Sequence, residues 1–235
     1  MSLEGKWVLV TRAEEEAAEL ETLLRARGAI PVRFPCIAFE DGPDVPRIVQ
    51  AVRQGPDLIV LASPHAARRL MELVGPVTIP FAAVGGATAA LLPGQPIIPK
   101  SGAGAEALLA ELVPLVRGKR VLVPRAERGN PALVNGLEQA GAAVEVLTLY
   151  RTVTPRTADR SVLRDLDAIS FASGSAVRGF VALAGAAAAT CAVACIGEGT
   201  AAEARSLGIR VDAVGGEGLS QLCDALALAV ASRKR

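Results

Sequence analysis

The sequence predicts an α/β protein made of two parallel-sheet lobes, on three observations. Lys6-Trp-Val-Leu-Val-Thr-Arg-Ala-Glu14 returns with two changes as Lys119-Arg-Val-Leu-Val-Pro-Arg-Ala-Glu127, an offset of 113 that also carries Gly28-Ala29 onto Gly141-Ala142. A second pair of echoes follows: Asp57-Leu-Ile-Val-Leu-Ala-Ser63 recurs as Asp167-Ala-Ile-Ser-Phe-Ala-Ser173, and Gly85-Gly-Ala-Thr-Ala-Ala90 as Gly197-Glu-Gly-Thr-Ala-Ala202. Strand-like and helix-like segments alternate throughout, the pattern of a doubly wound parallel sheet. Self-similarity on this scale means two homologous halves.

The elements follow in order. Trp7 to Val10 is a short β-branched run, and Ala13 to Arg27 carries apolar residues at helical spacing behind Glu14, Glu15 and Glu16, acids that favour a helix start. Gly28 stops that helix, and Ile30 to Phe34 is the next strand, with Pro31 and Pro35 marking an edge or a strand end. Cys36 to Pro46 has turn composition and reads as a linker. Then come helix 45–54, strand 58–62, helix 66–74, strand 81–84, helix 88–92, strand 96–98, helix 105–116, strand 120–123, helix 131–140 and strand 143–150. Arg151-Thr-Val-Thr-Pro155 reads as a second linker. Helix 158–165, strand 168–172, helix 176–183, strand 191–196, helix 201–206, strand 209–214 and helix 219–232 complete the chain.

Some ten strands suit two sheets of five, and the linkers decide how they divide. They suggest that the chain leaves one lobe near residue 38 and returns near 153. The expected organisation is a discontinuous lobe of residues 1–37 plus 154–235, an inserted lobe of 43–149, and linkers at 36–43 and 150–155. Each lobe would be a five-stranded flavodoxin-like unit, and a two-segment connection makes a natural hinge beside a cleft.

Composition narrows the partners. Of 235 residues 51% are hydrophobic but only 3% aromatic, so the core is mostly Ala, Val and Leu, as in helices packed on a buried sheet. The formal net charge of +1, with one Trp and one Tyr, offers neither a basic field nor a stacking platform for nucleic acid. Apolar runs break well short of the ~20 residues a membrane span needs, and no basic, apolar and small-residue leader opens the chain. A cytoplasmic protein is the expectation. Cys36, Cys191, Cys195 and Cys223 lack metal-ligand spacing and read as buried free thiols.

Ligands of open parallel sheets bind beyond the carboxyl ends of the strands, where loops enter helix N-termini. The echoed residues lie there: Ser63 and Ser173 end strands, Thr88 and Thr200 follow glycine turns, and Arg12 and Arg125 follow the repeated strand. Gly174, Ser175 and Gly199 stand beside them. Serine and threonine at such positions are good N-caps, which would account for them without any ligand. The functional reading is that hydroxyls, backbone amides and two arginines suit carboxylates or phosphates. The glycine runs Gly85-Gly86, Gly197-Glu-Gly199 and Gly215-Gly-Glu-Gly218 match no dinucleotide fingerprint, and no Walker lysine follows. His65, the sole histidine, lacks the order of a catalytic triad and reads as a surface helix residue. Ser173-Gly174-Ser175 is not a nucleophile elbow. Chemistry without a cofactor, run by few side chains, is what remains.

These residues carry a resemblance. Val8-Leu-Val-Thr-Arg12, Ser63-Pro64-x-Ala66, Gly85-x-x-Thr88-Ala89, Leu149-Tyr150-Arg-Thr152, Phe171-x-Ser173-x-Ser175 and Ile196-Gly-x-x-Thr200-Ala201 together resemble the uroporphyrinogen-III synthases, in that order and along nearly the whole chain. Each motif is short, and their joint order is the specific signal. Ala13 stands where many members carry proline after the arginine, which bears on how the first helix starts.

The resemblance implies two flavodoxin-like lobes joined by a two-stranded ladder. It implies a cofactor-free lyase that cyclises hydroxymethylbilane to uroporphyrinogen III with inversion of the last ring and loss of water, on the way to haem, sirohaem or cobalamin. Tyr150 matches the tyrosine placed near the leaving hydroxyl, and a phenol, ionising near pH 10, would still hold a proton to donate. Its other reading is a strand-end aromatic that anchors the linker. The implied partners are the substrate and, transiently, hydroxymethylbilane synthase handing it over to a monomer. Two other readings stay open at this point: a non-catalytic tetrapyrrole sensor, and a two-lobed small-molecule-binding protein.

Overall fold

The computed structural model describes residues 2–102, 104–216 and 218–233. Glu217 in the last glycine run, and the ends of the expected discontinuous lobe at Met1 and Lys234-Arg235, lie outside the described residues. The strands are β1 (Trp7–Val10), β2 (Ile30–Arg33), β3 (Ala38–Asp41), β4 (Leu58–Leu61), β5 (Phe81–Ala83), β6 (Arg120–Ala126), β7 (Ala143–Val153), β8 (Ala168–Phe171), β9 (Ala192–Cys195) and β10 (Ala213–Val214). The helices are α1 (Ala17–Arg25), α2 (Val45–Arg53), α3 (Pro64–Val74), α4 (Gly86–Ala89), α5 (Ala105–Leu112), α6 (Ala132–Gln139), α7 (Gly174–Ala184), α8 (Glu198–Ser206) and α9 (Leu219–Arg233).

Two five-stranded sheets form, as the sequence predicts, in the orders β10-β9-β8-β1-β2 and β3-β7-β6-β4-β5. The first belongs to a compact unit of Met1–Phe39 with Thr152–Arg235, and the second to a unit of Glu40–Arg151. All four pairings of the first sheet are parallel, as are β5 with β4, β4 with β6 and β6 with β7 in the second. In each sheet the strand order reverses at one place, between β1 and β8 and between β4 and β6. Such a reversal leaves a crevice at the carboxyl ends of the flanking strands.

The first unit buries both faces of its sheet at the centre, which is why β1 and β9 read as unbroken apolar runs. Val8 and Val10 point to one face, where they meet Leu20 and Leu24 of α1 and Leu222 and Leu226 of α9. Leu9 between them points to the other, among Ile169, Phe171, Val193 and Phe180 of α7. Phe180 meets Phe34 and Phe171 edge-on, with ring centroids 6.0 and 5.5 Å apart. At the order reversal β1 and β8 are tied reciprocally: Thr11 Oγ1 donates to the Ser170 carbonyl at 2.6 Å, and Ser170 Oγ to that of Leu9 at 2.7 Å. In the second unit Val60, Val121 and Val123 pack against Leu108 and Leu112 of α5 and Leu133 and Leu137 of α6.

The echoed helices begin and end alike. Ser63 Oγ accepts the Ala66 N–H and Ser173 Oγ the Ala176 N–H, both at 3.1 Å, so each serine satisfies one orphan donor of its first turn. Both helices stop at a glycine with positive φ, Gly75 at 67° and Gly185 at 85°.

Several elements differ from the sequence expectation. The segment read as a linker contains β3, an edge strand hydrogen-bonded beside β7, and β7 itself runs on to Val153. Turn chemistry is confined to Gly42 onward, where a Cβ would lie 2.1 Å from the Thr148 carbonyl oxygen, so only glycine fits. Strand 96–98 shrinks to one bridge between Ala82 and Ile97, because Pro96 and Pro99 have no N–H for a ladder. Helix 158–165 is a single 3-10 turn at Arg160–Leu163. Strand 209–214 pairs only at its last two residues. Ahead of that pair the Asp212 carboxylate accepts the Val193 N–H at 2.9 Å.

Candidate active site

The second unit carries a cavity of about 290 Å³ at the carboxyl ends of its strands, where the order reverses. Ala62 and Ser63 after β4, Val84 after β5, Arg125 and Ala126 at the end of β6 and Tyr150 on β7 line it, with Gly104 and Ala105 at the start of α5. A register shift in the β6–β7 pair sets Arg125 opposite Thr148 but Ala126 opposite Tyr150. Skipping Leu149 in this way brings two consecutive β6 residues and the tyrosine onto one wall, the kind of re-aiming a bulge performs.

Tyr150 is only 8% exposed. Its hydroxyl lies 3.2 Å from Ser63 Oγ, an atom already accepting the Ala66 N–H and still able to donate its own hydrogen. The phenol ring meets the imidazole of His65 with centroids 4.4 Å apart and planes at 64°. His65 is thus a half-buried residue in the first turn of α3, turned onto Tyr150, and not the surface side chain the sequence suggests. Arg125 donates to the Asn130 carbonyl at 3.4 Å, a weak neutral contact, and among the described residues no carboxylate is paired with it. Beside it lie Arg128, Gly129 and the N-terminal end of α5. Cations, helix-end amides and a phenol on one apolar wall can hold a carboxylate and pass a proton to a leaving oxygen.

Three expected site residues, Ser63, Arg125 and Tyr150, thus share this cavity. Thr88 lies in α4 of the same unit, 2% exposed and absent from the cavity wall. The others belong to the first unit. Arg12 follows β1 but is engaged locally, with Nε on the Glu16 carbonyl at 2.9 Å and Nη2 on the Glu16 carboxylate at 2.8 Å. Ser173 caps α7, Gly174 and Ser175 fill its first turn, and Ser175 Oγ accepts from Arg178 at 3.1 Å. Gly199 is exposed in the first turn of α8, while Thr200 beside it is 9% exposed.

Sequence reasoning missed His65, Arg128, Asn130 and Gly104. The Arg128-Gly-Asn130 run after the second repeat copy was the available signal, because it replaces the acidic run that follows the first. Burial raises the thiols, Cys191 to about 11 and Cys195 to about 12, so both stay protonated at neutral pH and are poor nucleophiles. No helix of the described residues is long and apolar enough to cross a membrane.

Comparison with known proteins meets this geometry. The family model for uroporphyrinogen-III synthase HemD matches residues 18–217. The chloroplastic uroporphyrinogen-III synthase of Oryza sativa subsp. japonica is 28% identical over 221 residues, covering 86% of this chain and 73% of the rice protein. That of Synechococcus elongatus is 29% identical over 201 residues, 76% of this chain and 75% of its own. Among solved structures, a mutant uroporphyrinogen III synthase from Thermus thermophilus aligns with a TM-score of 0.58 at 23% identity, over 97% of this chain and 100% of that one. The Helicobacter pylori synthetase aligns with a TM-score of 0.63 at 17% identity, over 96% and 99%. The two structures share the fold, and the family match, which spans most of the sequence, shows that the chain belongs to the uroporphyrinogen-III synthase family.

Proposed function

We propose that the chemical step of this family's reaction is run from the cavity of the second unit, with Tyr150 as the proton donor. Family membership carries the activity itself, a lyase reaction of tetrapyrrole biosynthesis that forms uroporphyrinogen III. The substrate is hydroxymethylbilane, a linear tetrapyrrole bearing acetate and propionate groups. Its terminal hydroxyl must leave before the ring can close.

The observation that supports the assignment is the 3.2 Å contact between Tyr150 Oη and Ser63 Oγ at the cavity wall. With Ser63 donating, the phenol keeps its own hydrogen to give to substrate. Tyr150 then gives that proton to the departing hydroxyl, the carbon–oxygen bond breaks and water leaves. The pyrrole electrons stabilise the resulting cation. The proton lost when the ring closes restores the phenol, so the overall change is loss of one water. General acid help of this kind is worth about a hundredfold to ten-thousandfold, and holding the chain curled for closure up to ~7–11 kcal/mol.

The binding set proposed with it is Arg12, Ser63, Thr88, Arg125, Ser173, Gly174, Ser175, Gly199 and Thr200. Arg125 and the start of α5 are suited to substrate carboxylates by charge and by free amides. One chain carries the whole set, which suits a monomer. Because hydroxymethylbilane also cyclises unaided to the wrong isomer, transient hand-over from hydroxymethylbilane synthase, in the cytoplasm, would shorten its free life.

Turnover of hydroxymethylbilane with isomer analysis tests the reading on Tyr150→Phe, which keeps the ring and removes the donor. The expected result is kcat lower by about tenfold or more at an unchanged thermal midpoint. A variant with normal turnover and normal isomer ratio would return Tyr150 to an anchoring role.

A further inference from the structure

We propose that His65 is a positioning residue for Tyr150: its imidazole ring is a stop that keeps the phenol from swinging, and so holds the hydroxyl against Ser63 at the cavity wall. The proposal rests on the reading of Tyr150 as proton donor. The first observation behind it is the ring pair itself, with centroids 4.4 Å apart at 64°. That is the close end of edge-to-face contact, where rotation of either ring soon meets the other. A second is the rigidity of the support. Ser63 and His65 flank Pro64 at the start of α3, where the Ser63 cap and the fixed φ of proline leave little freedom. These two contacts of Tyr150 therefore come from a single stiff turn, Ser63 meeting the hydroxyl and His65 the ring.

A third observation is the matching place in the first unit. The offset of 110 that relates Ser63 to Ser173 puts Ser175 where His65 stands, and the offset of 113 puts Ile37 where Tyr150 stands. The unit without the tyrosine is also without the ring that would brace it. Proton delivery depends steeply on distance, so a phenol free to drift by an ångström would lose much of its effect.

The test is a double-mutant cycle. His65→Ala and His65→Phe are each made in the native chain and in Tyr150→Phe, and kcat, KM for hydroxymethylbilane, thermal midpoint and isomer ratio are measured. His65→Ala is expected to lower kcat about threefold to tenfold with KM within about twofold, while His65→Phe, which keeps a flat ring, stays within about twofold of native. In the Tyr150→Phe background both substitutions should be silent, because no donor remains to be positioned. Should His65→Ala fail to fold, His65→Gln, polar and without a ring, takes its place with the same expectation. An unchanged kcat in His65→Ala, an equal loss in both backgrounds, or a His65→Phe as slow as His65→Ala would each overturn the proposal. If Tyr150→Phe alone keeps native turnover, the donor reading fails and this one falls with it. A slow Tyr150→Phe with an additive cycle overturns the role of His65 only.

Discussion

β1 and β2 in the first unit and β6 and β7 in the second pair in one register, Trp7 opposite Ile30 and Arg120 opposite Ala143, each residue 113 positions from its counterpart. On this shared frame three positions diverge. Arg12 is bound by Glu16, but Arg125 has Gly129 at the matching place, where a Cβ would sit only 3.1 Å from the arginine stem. Ile37 matches Tyr150; both are 8% exposed, and only the second unit has a hydroxyl there. Ser63 and Ser173 cap their helices at the same distance, yet Ser63 alone is in contact with a phenol. Duplication has kept the scaffold in both copies. The phenol and the arginine without a paired carboxylate among the described residues are found in one, and on these the proposed chemistry rests.

Packing should break the symmetry most. Gly179 in α7 lies where a Cβ would come within 1.9 Å of the Cys36 carbonyl oxygen, whereas its counterpart in α3 is Arg69, paired with Asp41 at 2.7 Å on the surface. Gly179→Ala is expected to cost about 1–3 kcal/mol by overpacking, and Arg69→Ala under about 1 kcal/mol, both read from denaturant unfolding. Similar losses at both sites would mean that the units pack their helices alike.

Charge is the next level. Gly129→Glu rebuilds in the second unit the pair that Arg12 and Glu16 make in the first, and should raise KM for hydroxymethylbilane about fivefold to tenfold with little change in kcat. A native KM would show that Arg125 does not hold substrate.

Much of this was legible in the sequence. The repeated strand, the capping serines and the glycine stops are local, and each copy vouches for the other. The partnership of Arg12 with Glu16 could also have been read, since residues four apart share a helical face. What could not be read depends on chain brought from far away. β3 forms because β7, more than a hundred residues on, lies beside it. The contact of His65 with Tyr150 joins residues 85 positions apart, and no periodicity announces it.

A smaller effect concerns the first unit alone. Glu21 is buried and bonded to Arg33 and Arg25, and the Arg33 hydrogen bond, acting against burial, holds its carboxyl below the ordinary range. A depressed folded pKa contributes stability above the unfolded value of about 4.3, and that stability is lost as pH falls through the folded value. Glu21→Gln should therefore lower stability by about 1 kcal/mol at pH 7, since half-exposed Arg33 can turn to solvent, and the gap from native should close below about pH 4. Melting curves across that range check it. A gap independent of pH would assign the loss to shape instead of charge.

The most direct measurement sets one substitution at both duplicated positions. Ser63→Ala and Ser173→Ala each remove a helix cap, worth about 1 kcal/mol, so their thermal midpoints should fall together. Only Ser63→Ala also removes the partner of the Tyr150 hydroxyl. If the second unit runs the chemistry, kcat falls about threefold or more further in Ser63→Ala than in Ser173→Ala, whose effect lies in KM. Equal values of kcat in the two variants would contradict the account.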